Sequence, residues 1–120
     1  MPLPFRCSVD LARVIGNLAV KDCKTAVAIL NKSEAKTGAK LASDPAYGLA
    51  AQLLAAKLNV VAQAITCSLE ATAVSDAQSL LVAVNFTGTG SYTKSMTPAQ
   101  RNQATALAGT LDRYNNNLLC

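Results

Sequence analysis

The amino-acid sequence predicts an all-α domain, a disulfide-stapled bundle of about four helices. Hydrophobic residues make up 51% of the 120-residue chain but aromatic residues only 4%, and much of the apolar fraction is alanine. This composition suits closely packed helices better than a β-sandwich, which favours β-branched and aromatic side chains. Apolar residues also recur at helical spacing. We interpret residues 1–120 as one domain, with an N-terminal arm over residues 1–21 and a core over residues 22–120.

The first twenty residues carry a mixed pattern. Five apolar residues share one helical face: Leu11, Val14, Ile15, Leu18 and Ala19. Four others alternate as in a strand: Phe5, Cys7, Val9 and Leu11. We favour a helix over residues 8–20 that breaks at Gly16 and Asn17. An extended segment, exchanged between neighbouring copies over residues 2–20, is the second interpretation.

A short helix is expected within residues 21–33, with Cys23, Val27 and Leu30 turned inward. Residues 34–43 are then predicted to form a polar connection that contains a glycine.

The clearest element is a long helix over residues 44–65. Asp44 is a natural N-cap, and Pro45 fits the first helical position, where its missing N–H is not needed. Two neighbouring apolar rows indicate a helix with partners on a broad face. They comprise Leu49, Leu53, Val60 and Ala64, and Leu54, Leu58, Val61 and Ile65.

Two more helices follow. Residues 68–86 carry an apolar row with Ser68 as the expected cap, and a break at Ser75 and Asp76 is the alternative. That row comprises Leu69, Ala73, Ala77, Leu80, Leu81 and Val84.

The last helix begins with Thr97 as its cap and Pro98 in its first turn. Its apolar side comprises Ala104, Leu107, Ala108, Leu111 and Tyr114, and three asparagines, residues 115–117, end it.

The chain has four cysteines and no histidine. An even number without a CxxC pair indicates two disulfides and an oxidising compartment, whereas a zinc site would need close pairs or histidines. If the last three helices run up, down and up, the first and the third of them end on the same side of the bundle. Cys67 follows one of these ends and Cys120 follows the other. Of the three formal pairings we therefore favour Cys67 with Cys120. Cys7 then pairs with Cys23, which requires the first segment to fold back near Gly16.

The sequence argues against several functions. Residues 88–95, GTGSYTKS, look like a phosphate-binding loop, but Thr93 stands where a glycine must precede the lysine. We interpret them as a flexible loop between helices. The absence of histidine leaves no base to activate a serine or cysteine. Five acidic residues, Asp10, Asp22, Glu70, Asp76 and Asp112, have the surroundings of ordinary surface helices and are not expected to be catalytic. No cofactor, metal ion or catalytic residue is predicted.

Surface features suggest weak recognition at most. The net charge of +4 is small for a nucleic-acid partner, and the basic residues 21–40 read as a solvated face: Lys21, Lys24, Lys32, Lys36 and Lys40. Asn31 and Asn85 lie in triplets that accept glycans in secreted proteins. In the loop, Tyr92 beside Lys94 is the candidate exposed recognition side chain. No apolar run is long enough to span a membrane, and no signal peptide is recognised in the chain.

Residues 22–120 resemble a small module of large secreted bacterial surface proteins that accompanies immunoglobulin-like and other adhesive repeats. The resemblance rests on ordered motifs: AVAILNKS, TGAKLASDPAYGLAAQLLAAKLNV, Cys67, LLVAVNFTGTG and LAGTLDRYNNNLLC. It implies an extracellular, non-enzymatic module. It also implies that Gly88 and Gly90 are turn glycines. Asn59, in an apolar row, would either bond a loop backbone or point outward.

These observations together predict a non-enzymatic structural or interaction module at the cell exterior. It would be an adhesive domain or a subunit that assembles into oligomers or filaments. Its partners would be copies of itself, other surface proteins or polysaccharide. The alternative is a small secreted binding or inhibitor protein that recognises a glycan or a protein.

Overall fold

The computed structural model describes residues 13–120, with only the backbone of Arg13. In this part of the chain a small hairpin precedes four helices. The hairpin consists of β1 (Arg13–Ile15) and β2 (Leu18–Val20), and the helices are α1 (Cys23–Leu30), α2 (Pro45–Val61), α3 (Ser68–Ala83) and α4 (Pro98–Asn115). Helix α2 contacts each of the other three helices. The predicted helical bundle with a disulfide is therefore confirmed.

The helix expected over residues 8–20 is wrong for residues 13–20, which form the hairpin. The two strands pair antiparallel, with Val14 opposite Ala19 and Ile15 opposite Leu18. Ile15 and Val20 are buried whereas Val14 is exposed. Strands of three residues are too short for apolar spacing to distinguish them from one helical turn. The rest of the expected helix and the alternation from Phe5 to Leu11 lie outside the described residues.

The break expected at Gly16 and Asn17 is the hairpin turn. Gly16 has φ +61°, and glycine with positive φ at the first central position is typical of a type II′ turn. The Gln78 side chain holds this turn from α3: Gly16 N donates to Gln78 Oε1 at 3.0 Å, and Gln78 Nε2 donates to Gly16 O at 2.9 Å. The hairpin is thus fixed to a residue 62 positions away.

Helix α1 begins after Asp22, whose Oδ1 accepts a 2.7 Å hydrogen bond from Thr25 N. Its buried face consists of Ala26 and Ile29. Val27, expected to point inward, is exposed. Cys23 and Leu30 are half-buried and pack against the core, as predicted. The prediction is therefore wrong only for Val27.

Helix α2 has the predicted start. Asp44 is its N-cap and Pro45 its first residue. The helix ends at Val61, four residues before the predicted end, and Ile65 lies in the exposed connection to α3. The two apolar rows are therefore buried only up to Leu58.

Helix α3 is continuous through Ser75 and Asp76, so the alternative break is absent. Its N-cap is Cys67, which makes no side-chain capping bond, and Ser68 is the first helical residue; the prediction of Ser68 as the cap is wrong. Its buried side comprises Glu70, Ala73, Ala77, Leu80 and Leu81.

Helix α4 follows its predicted signals closely. Thr97 Oγ1 accepts from Gln100 N at 3.1 Å, and Gln100 Oε1 accepts from Thr97 N at 2.9 Å, which forms a capping box. The helix ends at Asn115, and Asn117 has φ +62°. An asparagine in the left-handed conformation therefore follows the helix end, as predicted.

Candidate functional site

The Cys67–Cys120 disulfide joins the start of α3 to the residues after α4. The two Cα atoms are 5.8 Å apart, which confirms the predicted pairing. Cys23 is also disulfide-bonded. Its predicted partner, Cys7, lies outside the described residues, so that pairing stays a prediction.

Apolar side chains are exposed around this disulfide. We name residues 62–69 and 114–120 the disulfide pole. Ile65 is 78% exposed, Leu118 66% and Leu69 61%. Each of the three lies two residues from a bonded cysteine. Large apolar side chains gathered at one place are a more specific indication of an interface than the same residues scattered singly.

The pole carries little charge. Residues 58–69 and 114–120 contain no Asp, Glu, Lys or Arg. Arg113 lies next to it, and its Nη2 donates to Leu118 O at 3.3 Å. This surface therefore offers no cluster of cations for a polyanion such as acidic polysaccharide or nucleic acid.

An amide network fixes the pole to the body of the bundle. Asn59 Nδ2 donates to Asn115 Oδ1 at 2.9 Å, and Asn115 Nδ2 donates to Gln52 Oε1 at 2.8 Å. Asn59 thus binds a side chain of α4, and neither of its two expected arrangements is found. The network joins the middle and the last turn of α2 to the end of α4.

A groove beside the pole is lined by Lys57, Val60, Val61, Glu70 and Val74. We name it the valine groove, and its volume is about 330 Å³. Glu70 is only 5% exposed, so the expectation of an ordinary surface carboxylate is wrong. No described residue donates a hydrogen bond to Glu70. Lys57 Nζ instead donates to Val14 O at 2.8 Å.

Tyr114 is buried near Glu70. Its hydroxyl has no hydrogen-bond partner among the described residues. Burial, and then the negative charge of Glu70, raise the pKa of this hydroxyl. A buried phenol and a buried carboxylate thus lie near each other, but no hydrogen bond joins them.

The glycine loop, residues 86–96, is ordered around an aromatic cluster. Tyr47, Phe86 and Tyr92 have ring centroids 5.1 to 5.8 Å apart. Tyr92 is only 7% exposed, so its prediction as an exposed recognition side chain is wrong. Lys94 is exposed. Aromatic rings pack favourably at these distances, and the loop closes one end of the core.

Backbone N–H groups of this loop are bound by carboxylates of the protein itself. Gly90 N donates to Glu34 Oε2 at 2.7 Å, and Tyr92 N donates to Asp44 Oδ2 at 2.7 Å. A phosphate would need such donors free. The geometry therefore gives a physical reason against the phosphate-binding interpretation, beyond the missing glycine. It also replaces the expected flexible loop with one fixed at several points.

Gly88 and Gly90 are turn glycines, with φ +77° and +78°. Gly88 is also buried, and a Cβ there would lie 2.9 Å from Leu18 Cδ2. Its backbone carbonyl accepts from Ala35 N at 2.8 Å. The loop thus packs against the hairpin and the connection before α2.

The remaining candidates are spread over the surface. Asp22 caps α1, Asp112 accepts from Asn116 Nδ2 and Gln52 Nε2, and Asp76 is exposed; Asp10 lies outside the described residues. The sequon residues Asn31 and Asn85 are both exposed. Most lysines of residues 21–40 are exposed as predicted: Lys21, Lys24, Lys36 and Lys40.

Within residues 13–120, no group of three or more His, Cys, Asp or Glu side chains is placed to hold a metal ion. In the same part of the chain, none of the helices is both long enough and apolar enough to cross a bilayer. Comparison with protein-family models, curated proteins and solved structures found no match.

Proposed function

We propose that this chain is a non-enzymatic extracellular interaction module, and that it associates with a second copy of itself through the disulfide pole. The observation that carries the proposal is the exposure of Ile65, Leu69 and Leu118 around the Cys67–Cys120 bond. Burial of such side chains in a contact would release apolar surface from water at about 25 cal/mol per Å².

The charge distribution favours a second copy as the occupant. Two identical chains of net charge +4 repel each other wherever their cationic faces meet. The pole has no charged side chains, so identical copies can meet there with little repulsion. Interface cores are likewise depleted of charged residues.

The disulfide and the amide network support the same function. They hold the exposed side chains on a rigid base, so little conformational entropy is lost on association. Two disulfides are typical of proteins from oxidising compartments, which supports an extracellular setting.

The test is sedimentation equilibrium of the full chain over a wide range of concentration. We expect reversible association that is lost in Ile65→Lys and in Leu118→Lys, because a buried lysine opposes the contact. Val82→Lys is the matched control: Val82 is an exposed apolar residue outside the pole, and its substitution should leave association unchanged. A monomer at every concentration, or equal loss in all three variants, would contradict the proposal.

Exchange of the N-terminal segment between copies is a separate proposal. Residues 2–6 can be deleted without removing any of the four cysteines. If the segment bridges copies, this deletion abolishes association while the pole remains intact. Unchanged association would show that the segment is not required.

The alternative, a glycan-binding protein, would use a different surface. A groove of about 290 Å³ is lined by Lys24 and Lys36 together with polar residues such as Asn31 and Thr37. Lysines and amides are donors that suit acidic sugars. Retention of the chain on an acidic polysaccharide column, lost in Lys24→Gln with Lys36→Gln, would favour this function.

A further inference from the structure

The unpartnered carboxylate in the valine groove is the strongest indication of a ligand in the described structure. Glu70 is about nineteen-twentieths buried, yet it accepts no hydrogen bond and forms no ion pair with any residue from 13 to 120. A carboxylate that has no protein partner and only slight contact with water is poorly stabilised. Such a group is stabilised when a cation or a set of donors reaches it.

The walls of the groove define what can accompany that cation. Val60, Val61 and Val74 present aliphatic surface beside Glu70. A ligand that fits must therefore combine a positively charged donor with an aliphatic body. A volume of about 330 Å³ is at the lower end for small-molecule sites, so the ligand is small.

Lys57 lines the same groove, and its ammonium donates to Val14 O at 2.8 Å.

We propose that the valine groove binds a primary ammonium on a short aliphatic chain, with Glu70 as its anionic anchor. The ammonium donates hydrogen bonds to the Glu70 carboxylate, and the aliphatic chain lies against the three valines. Tyr114 is buried near Glu70. A buried ring lowers the local polarity, which strengthens the attraction between the two charges.

The test is titration of the full ¹⁵N-labelled chain with n-butylammonium chloride, followed by amide chemical shifts. We expect saturable shifts centred on Lys57, Val61, Glu70 and Val74. The matched probe 1-butanol lacks the charge and should bind about tenfold more weakly or worse.

Two variants and a control connect binding to Glu70. Glu70→Gln removes the charge, and Val61→Lys places a cation at a partly exposed position of the groove; both should abolish saturable shifts. Asp76→Asn removes an exposed carboxylate from the same helix and should bind as the parent does. The absence of saturable shifts in the parent, or binding retained in both groove variants, would overturn the proposal.

Discussion

The Tyr92 amide donates a 2.7 Å hydrogen bond to the Asp44 carboxylate, 48 residues earlier in the chain. The same carboxylate accepts from Ala46 N at 3.0 Å, at the start of α2, and from Ser91 Oγ at 3.0 Å. Asp44 is only 3% exposed. One buried side chain thus caps the central helix and fixes the glycine loop.

Asp44→Ala should lower the free energy of unfolding by about 3 kcal/mol, since it removes a helix cap and leaves a buried loop amide without its charged acceptor. Urea denaturation at neutral pH measures this change. Asp22→Ala is the control, because Asp22 caps only α1 at an exposed site, and a clearly smaller loss is expected there. Equal losses in the two variants would show that the loop bonds contribute nothing.

Tyr114→Phe and Tyr47→Phe should have different effects on stability. The Tyr114 hydroxyl is buried without a partner, so its removal should be neutral or stabilising. The Tyr47 hydroxyl donates to Gly90 O at 2.7 Å, and its loss should cost about 1 kcal/mol. Thermal unfolding of the two variants measures which of them loses more stability. A larger loss for Tyr114→Phe would contradict the structure.

Acid should weaken the hydrogen bond that Glu34 accepts from Gly90 N in the glycine loop. The Gly90 N–H, and then the Thr37 hydroxyl, lower the pKa of Glu34 from its ordinary 4.5. The pKa of Glu34 is lower in the folded chain than in the unfolded chain. Its contribution to the stability of the fold is therefore complete above the unfolded-state pKa and is lost as the pH falls through the folded-state pKa. The Gly90 amide shift should therefore titrate with a midpoint below 4.5, and this titration should vanish in Glu34→Gln. A midpoint at or above the ordinary value would refute the assignment.

Removal of the described disulfide should be the most damaging change among these. The double variant Cys67→Ala with Cys120→Ala should lose about 4 kcal/mol, from the chain entropy of a loop this long. Hydrogen exchange should then accelerate first after Asn115, where α4 ends. If the loss is below about 1 kcal/mol, the bond does not stabilise the fold in the expected way.

The sequence was most informative where a local signal decides the structure. Asp44 with Pro45, and Thr97 with Pro98, place the starts of α2 and α4, because a cap and a proline act within one turn. The pairing of Cys67 with Cys120 is predicted from the positions at which two helices end. Each of these rests on short-range chemistry or on simple geometry.

The errors lie where distant contacts decide. The hairpin depends on Gln78, and the burial of Tyr92 depends on Tyr47 and Phe86; no local pattern encodes either. The sequence predicts Glu70 as a surface residue, because its burial depends on α3 presenting that face to the bundle. It predicts Ile65 in a helix because the spacing continues the apolar row, although the chain has already turned at Gln63, with φ +67°.

The bond between Cys67 and Cys120 also determines how the chain would carry mechanical load. Tension applied at residue 120 would pass through sulfur directly to residue 67, and residues 68–119 would be bypassed. Helices α3 and α4 would then bear no stretching force, whereas helices α1 and α2, which precede Cys67, could be drawn out.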